Sequence, residues 1–188
     1  MKRYVKAIAN ALFIVVMLPG ALLAGFGRFG AMFDFFSRLF SFVPGLLGVY
    51  ARRAFYVMTL QSCSMKTCVS FGSFFAHREA TIEDGVYIGS YCIIGRAHIG
   101  RNTQIASGVH VLSGQHQHVR DAAGNIRGSE SGSFQEIHIG ANSWIGTAAV
   151  IMADVGEGST IGAGSVVARP IPPGVVAVGS PARVIKDA

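Results

Sequence analysis

The stretch Ile139-Gly140-Ala141-Asn142-Ser143-Trp144-Ile145-Gly146-Thr147-Ala148-Ala149-Val150-Ile151 decides the fold. An aliphatic residue stands at every sixth position, glycine follows the first two of the three, and a small residue (Ser143, Ala149) comes four places after each of those two. The same spelling extends outward. Ile82, Ile88, Ile94, Ile99, Ile105 and Val111 form one run, and Ile139, Ile145, Ile151, Val155, Ile161 and Val167 form a second, with eight of the ten steps equal to six. Seven of these twelve anchors are followed directly by glycine. Small or β-branched residues recur four places on, at Val86, Cys92, Thr103, Val109, Ser143, Ala149, Ser159 and Ser165. A period of six fits no amphipathic helix, whose apolar positions recur at three and four. A sandwich of hairpins would place turns every 8 to 12 residues. Short strands joined by tight turns remain, with glycine supplying the positive φ at the bends. Three sixes close one triangular coil, and stacked coils bury the anchors while pairing each backbone with its neighbours. The fold expected is all-β, a parallel β-helix.

The period stops for 24 residues, 113–136, before the second run begins. A loop that long inside a tight repeat is usually functional or disordered. It opens with Gln115-His116-Gln117-His118, and a solenoid core has no need of imidazole at its rim. His77, His98, His110 and His138 sit at repeat positions that exposed faces explain.

With 188 residues, 51% apolar and 14% charged, the chain is one folded unit with a small appendage, not a disordered one. Three cysteines exclude a disulfide framework, and Cys63 and Cys68 lack a second pair at zinc spacing. The net charge of +6 is confined to residues 1–60, where seven basic groups (Lys2, Arg3, Lys6, Arg28, Arg38, Arg52, Arg53) face one acid, Asp34. Residues 61–188 carry nine of each sign and cancel. The basic third also holds nine of the 13 phenylalanines, a composition suited to anionic lipid and not to nucleic acid. Residues 7–27 are uncharged. They read as a signal peptide with a poor cleavage site, a spanning helix, or a helix that bends at Pro19-Gly20 and returns to the side it entered; basic groups on both flanks favour the last. Phe26, Phe29, Phe33, Phe36 and Phe40 form a helical stripe expected to contact the membrane, Pro44-Gly45 ends that helix, and a second helix runs from about Leu46 to Gln61. The chain thus divides into a helical membrane-associated segment, 1–60, and a β-helix domain, 61–188, with the extruded loop 113–136.

From about Phe71 to Lys186 the chain resembles the hexapeptide-repeat acyltransferases. The resemblance rests on Ile99-Gly100-Arg101-Asn102 through Ser113-Gly114-Gln115-His116, on Ile139 to Gly146, and on Ile161 to Val167 with Ile171-Pro172-Pro173 and Gly179-Ser180-Pro181-Ala182-Arg183-Val184-Ile185. It implies a left-handed coil, where general crossover rules would favour the opposite hand. It also implies a homotrimer with acetyl-CoA lying between subunits and His116 as catalytic base. Thr147, Ala163 and Ala168 would line the pantetheine path, Arg183 and Lys186 would approach the nucleotide phosphates, Arg169 is a further phosphate candidate, and Trp144 would wall the cleft. His118 reads either as a group that orients His116 or binds the acceptor or as an exposed loop residue, and Asp121 and Glu136 are candidates to hold the imidazole tautomer. The galactoside branch carries an acidic residue for its sugar where this chain reads Ile93-Ile94-Gly95, so a free galactoside is not the expected acceptor. The basic N-terminal third resembles the membrane-associated exopolysaccharide and capsule branch.

The expectation is an acetyl-CoA-dependent O-acetyltransferase acting on a lipid-linked sugar or polysaccharide at the cytoplasmic face of the bacterial inner membrane, with no metal. Two rivals stand beside it: a zinc hydratase of the carbonic-anhydrase type using His110, His116 and His118, and a catalytically silent trimeric membrane scaffold.

Overall fold

The computed structural model of the protein describes residues 2–114, 119–127 and 134–188. Three helices, α1 (Lys2–Leu23), α2 (Gly30–Ser41) and α3 (Gly45–Thr59), precede a stack of short strands. The first coil is β1 (Ser62–Cys63), β2 (Cys68–Val69) and β3 (Phe74–Phe75). The second is β4 (Ala80–Ile82), β5 (Tyr87–Ile88) and β6 (Ile93–Ile94), and the third is β7 (Ala97–Ile99), β8 (Gln104–Ile105) and β9 (His110–Val111). After the loop come β10 (Ile137–Ile139), β11 (Trp144–Ile145) and β12 (Val150–Ile151). The fifth coil starts with the bridge residue Val155 and continues as β13 (Thr160–Ile161) and β14 (Val166–Val167). The sixth starts at Ile171 and ends in β15 (Val175–Gly179) and its antiparallel partner β16 (Ala182–Asp187).

Strands at the same station of successive coils pair in parallel and make three faces. Face one is β1-β4-β7-β10, face two β2-β5-β8-β11-β13-β15-β16, and face three β3-β6-β9-β12-β14. The aliphatic period produces this arrangement directly. Ile82, Ile99 and Ile139 stand in register on face one, Ile88, Ile105, Ile145 and Ile161 on face two, and Ile94, Val111, Ile151 and Val167 on face three, all buried. The small residues four places on fill the corners, and several are hydroxyls for a reason. Thr103 Oγ1 donates to the Gly140 carbonyl at 2.9 Å, Ser143 Oγ to Gly156 at 3.0 Å and Ser159 Oγ to Pro172 at 2.8 Å, so each coil pairs a corner carbonyl of the next that would otherwise be buried alone.

The glycines after the anchors have a different cause from the one expected. Positive φ falls three residues after the anchor, at Gly85, Asn102, Gly108, Asn142, Ala148, Gly158 and Gly164. The glycine directly after the anchor is needed because the next coil passes over it. A Cβ on Gly146 would lie 2.5 Å from the Ala163 nitrogen, and one on Gly140 2.3 Å from that of Glu157. The solenoid also begins a coil earlier than the resemblance, at Ser62, with Val69 and Phe75 as buried anchors.

The helices depart further from expectation. α1 runs through Pro19 without a break, held on both sides of it by the Phe13–Tyr50 ring stack at 5.5 Å and by Gly20 seated against Phe36 and Phe40. The chain reverses instead at Gly25-Phe26-Gly27, three consecutive residues of positive φ. Phe26 and Phe29 precede α2 and are exposed. The helical part of the stripe, Phe33, Phe36 and Phe40, faces inward onto Phe55, whose neighbour Tyr56 meets Phe75 of the first coil at 4.7 Å. The stripe expected on the membrane is therefore core, because the exposed end of a solenoid is itself apolar and must be covered. The opposite side of the helical unit is the apolar surface left open, at Phe29, Met32, Phe35, Leu39, Phe42, Leu46 and Leu47.

Among the described residues, Arg52 and Arg53 bond inside the helical unit and its junction with the solenoid, and Arg38 pairs on the surface. Arg52 is fully buried and donates to Val69, Phe40, Ser41 and Val43 carbonyls at 2.8–3.2 Å, satisfying the end of α2 where four carbonyls lack helical partners. Arg53 ties Asn10 of α1 to the Thr67 carbonyl, and Arg38 pairs with Asp34 while lying over Phe74.

Candidate functional site

The two regular corners of the triangle follow the six-residue step. The third, from face three back to face one, has the short steps of five and four residues and is where the solenoid opens. The loop leaves there after β9 and returns at β10. Its neck is closed by Gln135 N donating to the Ser113 carbonyl at 3.0 Å, and β10 resumes opposite β7 as though nothing had intervened. Arg96, one coil above, donates its backbone N–H to Ser113 Oγ at 2.9 Å. His116 and His118 lie outside the described residues. Asp121 is described and is occupied by its own turn: Oδ1 accepts from Ala123 N at 3.0 Å and Asn125 N at 2.9 Å, within a hairpin bridged at Arg120 and Ile126. Asp121 Oδ1 thus closes its own turn, and its expected partner His116 lies outside the described residues. Glu136 Oε2 lies 3.6 Å from His138 Nε2.

The residues expected on the donor path fall on two edges. Trp144 is exposed on face two, beside the corner between faces two and three that holds Thr147 and Ala163, also exposed and stacked through Gly164 N to the Thr147 carbonyl at 2.8 Å. Ala168 and the exposed Arg169 stand on the opposite edge, where the loop emerges further up. Arg183 and Lys186 project from β16 at the last coil, and Arg183 Nη1 donates to the Ala182 carbonyl at 2.9 Å. Within one protomer these groups do not converge.

One cluster was missed. On the outer side of face one Thr81, His98 and His138 stand in register; His98 Nε2 is 2.8 Å from Glu83 Oε1, and the two imidazoles are 5.6 Å apart. The His98 contact, with help from the Arg101 backbone N–H, holds the Glu83 carboxyl below its ordinary range. The signal was the repeated His-Ile-Gly at residues 98–100 and 138–140. Among the described residues no three His, Cys, Asp or Glu side chains come together in a way that would hold a metal ion.

Comparison with known proteins agrees with this architecture. The family described as bacterial transferase hexapeptide (six repeats) matches residues 79–113, and hexapeptide repeat of succinyl-transferase matches residues 136–169. A bifunctional protein GlmU of Rubrobacter xylanophilus is 35% identical over 113 residues, covering 57% of this chain and 24% of that one. A protein of Schizosaccharomyces pombe named as an acetyltransferase is 38% identical over 121 residues, covering 63% and 52%. The chain therefore spans between about a quarter and a half of the length of these curated relatives. The crystal structure of a maltose O-acetyltransferase from Clostridium difficile superposes with a TM-score of 0.65 at 25% identity, over 85% of this chain and 88% of that one. Repeat matches on both sides of the loop, the stacked coils and that superposition agree: the chain carries a hexapeptide-repeat β-solenoid and is similar to the acyltransferases built on it.

Proposed function

We propose that the protein is an acetyl-CoA-dependent O-acetyltransferase whose acceptor is a hydroxyl of a lipid-linked sugar or growing polysaccharide. The observation that carries this reading is the superposition on the maltose O-acetyltransferase along nearly the whole of both chains. His116 takes the acceptor hydroxyl proton as that oxygen attacks the thioester carbonyl; the carbon–sulfur bond then breaks, and CoA leaves with the proton. An imidazole of ordinary pKa, about 6.5, is neutral enough for this at pH 7. The split of Trp144, Thr147 and Ala163 from Ala168 and Arg169 supports a homotrimer, since a groove between neighbouring protomers takes one edge from each.

The helical unit holds the enzyme on the cytoplasmic face of the bacterial inner membrane. The window Lys6–Leu23 is long and apolar enough to cross a bilayer, with mean hydropathy 2.0 and 11% of it buried. Its contacts with α2 and α3 support a helix lying in the interface beside them, with Lys6 and Arg28 available to anionic headgroups.

The test is acceptor-dependent release of free CoA by the full chain in detergent. A His116→Ala variant is expected to lose about 10²–10⁴-fold in rate while still binding acetyl-CoA in calorimetry. An unchanged rate overturns the mechanism, and a wild-type chain that binds no CoA ester favours a silent scaffold.

A further inference from the structure

A cleft of about 250 Å³ lies where the helical unit meets the irregular edge of the solenoid, and nothing above uses it. Among the described residues, Arg28, Arg78 and Arg96 line it with His77, against a single acid, Glu79. Each cation is placed by the fold. The three positive-φ residues before Arg28 aim the reversal at the solenoid, and Gly27 is pressed so close to the Thr59 carbonyl that a Cβ would lie 2.2 Å from it. Arg78 and Arg96 occupy the same corner of successive coils, about 4.8 Å apart along the stack.

Their charges are poorly met. The Nε atoms of Arg78 and Arg96 are buried with no hydrogen-bond partner among the described residues, and Arg96 Nε stands 3.9 Å from Glu79 Oε2, too far for a hydrogen bond. Buried guanidinium N–H groups without acceptors are costly, and a phosphate oxygen is the acceptor their forked geometry suits. His77 is held below its ordinary range by burial and by Arg96, so the described lining, three Arg against Glu79, carries about two net positive charges near pH 7.

The surroundings say what carries the phosphate. On one side its lining includes Gly27, Arg28 and Gly30, which alternate in sequence with the exposed Phe26 and Phe29 and follow the exposed Leu22 and Leu23 at the end of α1. On the other it touches the loop that bears His116: Phe134 meets His77 at 5.0 Å and lies under Arg96 at 5.3 Å, and Arg96 bonds the loop's first residue, Ser113. The loop neck is one coil, about 5 Å, from Arg96.

We infer that the Arg28–Arg78–Arg96 cleft binds the diphosphate of a membrane-embedded lipid, with the lipid chain along Leu22–Phe29 and whatever the diphosphate bears directed at the histidine loop. The cleft stands on its own geometry; only the assignment of that cargo as the acetyl acceptor rests on the proposed transfer reaction.

The experiment measures binding of the full chain, without acetyl-CoA, to phosphatidylcholine vesicles doped with geranylgeranyl diphosphate, to vesicles of equal surface charge made with phosphatidylglycerol, and to inorganic diphosphate in solution. The doped vesicles are expected to bind at least about tenfold more tightly than the phosphatidylglycerol vesicles, with inorganic diphosphate competing weakly. Arg28→Gln, an exposed position that leaves folding alone, should lose about five- to tenfold of that preference, and Arg78→Gln with Arg96→Gln about 10–100-fold, the size expected for charge-assisted bonds. Arg78→Lys with Arg96→Lys should recover part of it. Equal binding to both anionic vesicles, or a preference that survives Arg28→Gln and the double variant, overturns the inference, as does inorganic diphosphate binding as tightly as the lipid. A His116→Ala chain keeps the preference, so loss of transfer and loss of the cleft are read separately.

Discussion

Among single residues, two kinds of glycine that look alike in the repeat do different work. Gly146 admits no Cβ because the backbone of Ala163 passes 2.5 Å from where it would be, whereas Gly164 has open space around it and a φ of +66°. Gly146→Ala must push one coil against the next and is expected to cost about 1–3 kcal/mol, Gly164→Ala about 1 kcal/mol for the left-handed backbone. Thermal unfolding should rank them in that order. Glu83 gives a pH signature. Its carboxyl is held down by His98, so the folded state binds fewer protons than the unfolded one through the carboxylate range. Stability from this pair is present above the ordinary Glu pKa and is lost as pH falls through the lower folded value. Denaturant titrations from pH 6 to 3 should show a steeper loss for the wild type than for Glu83→Gln, by less than about 1 kcal/mol because the pair is partly exposed. The missed pairing of His98 with Glu83 shows the limit of reading one residue at a time: both are ordinary polar positions until a rung of the stack brings them within 2.8 Å.

Between elements, α2 separates two functions that its sequence mixes. Phe36 packs onto Phe55 and Phe40, while Phe35, its neighbour, is exposed. Phe35→Glu is expected to leave the melting temperature within about 2 °C but to weaken vesicle binding about tenfold or more, for a buried aromatic is worth about 1.5–3 kcal/mol in lipid as in a core. Phe36→Glu is expected to destabilise the helical unit by about 2–4 kcal/mol, since it sets a charge where a half-buried ring packs on Phe40 and Phe55 and a fully buried aromatic lost from a core costs about 3–5 kcal/mol. Co-sedimentation and circular dichroism on the same samples check both. A helical period identifies an apolar stripe, but core and lipid are equally apolar, so the period says nothing about which of them the stripe meets.

For the whole molecule, the edges of the solenoid matter more than its core. If adjoining protomers share one site, a His116→Ala chain mixed with an Ala163→Trp chain restores about one interface in four, since random pairing brings an intact histidine loop and an intact donor edge together that often. Activity near a quarter of wild type in the mixture, with each variant alone inactive, is the expected assay result; no recovery places the whole site in one protomer. The triangular coil, its three faces and its inward residues were legible because a fixed step of six leaves one geometry that buries every anchor, and each coil repeats the statement. The first coil was less legible because Cys63, Val69 and Phe75 depart from the Ile-Gly spelling. Charge counting located the basic third, yet Arg38, Arg52 and Arg53 turned out to serve packing and capping, which no count distinguishes. The repeat settled what one coil does because its contacts are local and periodic. Which face of the helices is core and which arginines meet at the helix–solenoid junction were decided only when segments 18 to 68 residues apart came together, because those contacts depend on where the helical unit docks on the coils and no period in the chain states that.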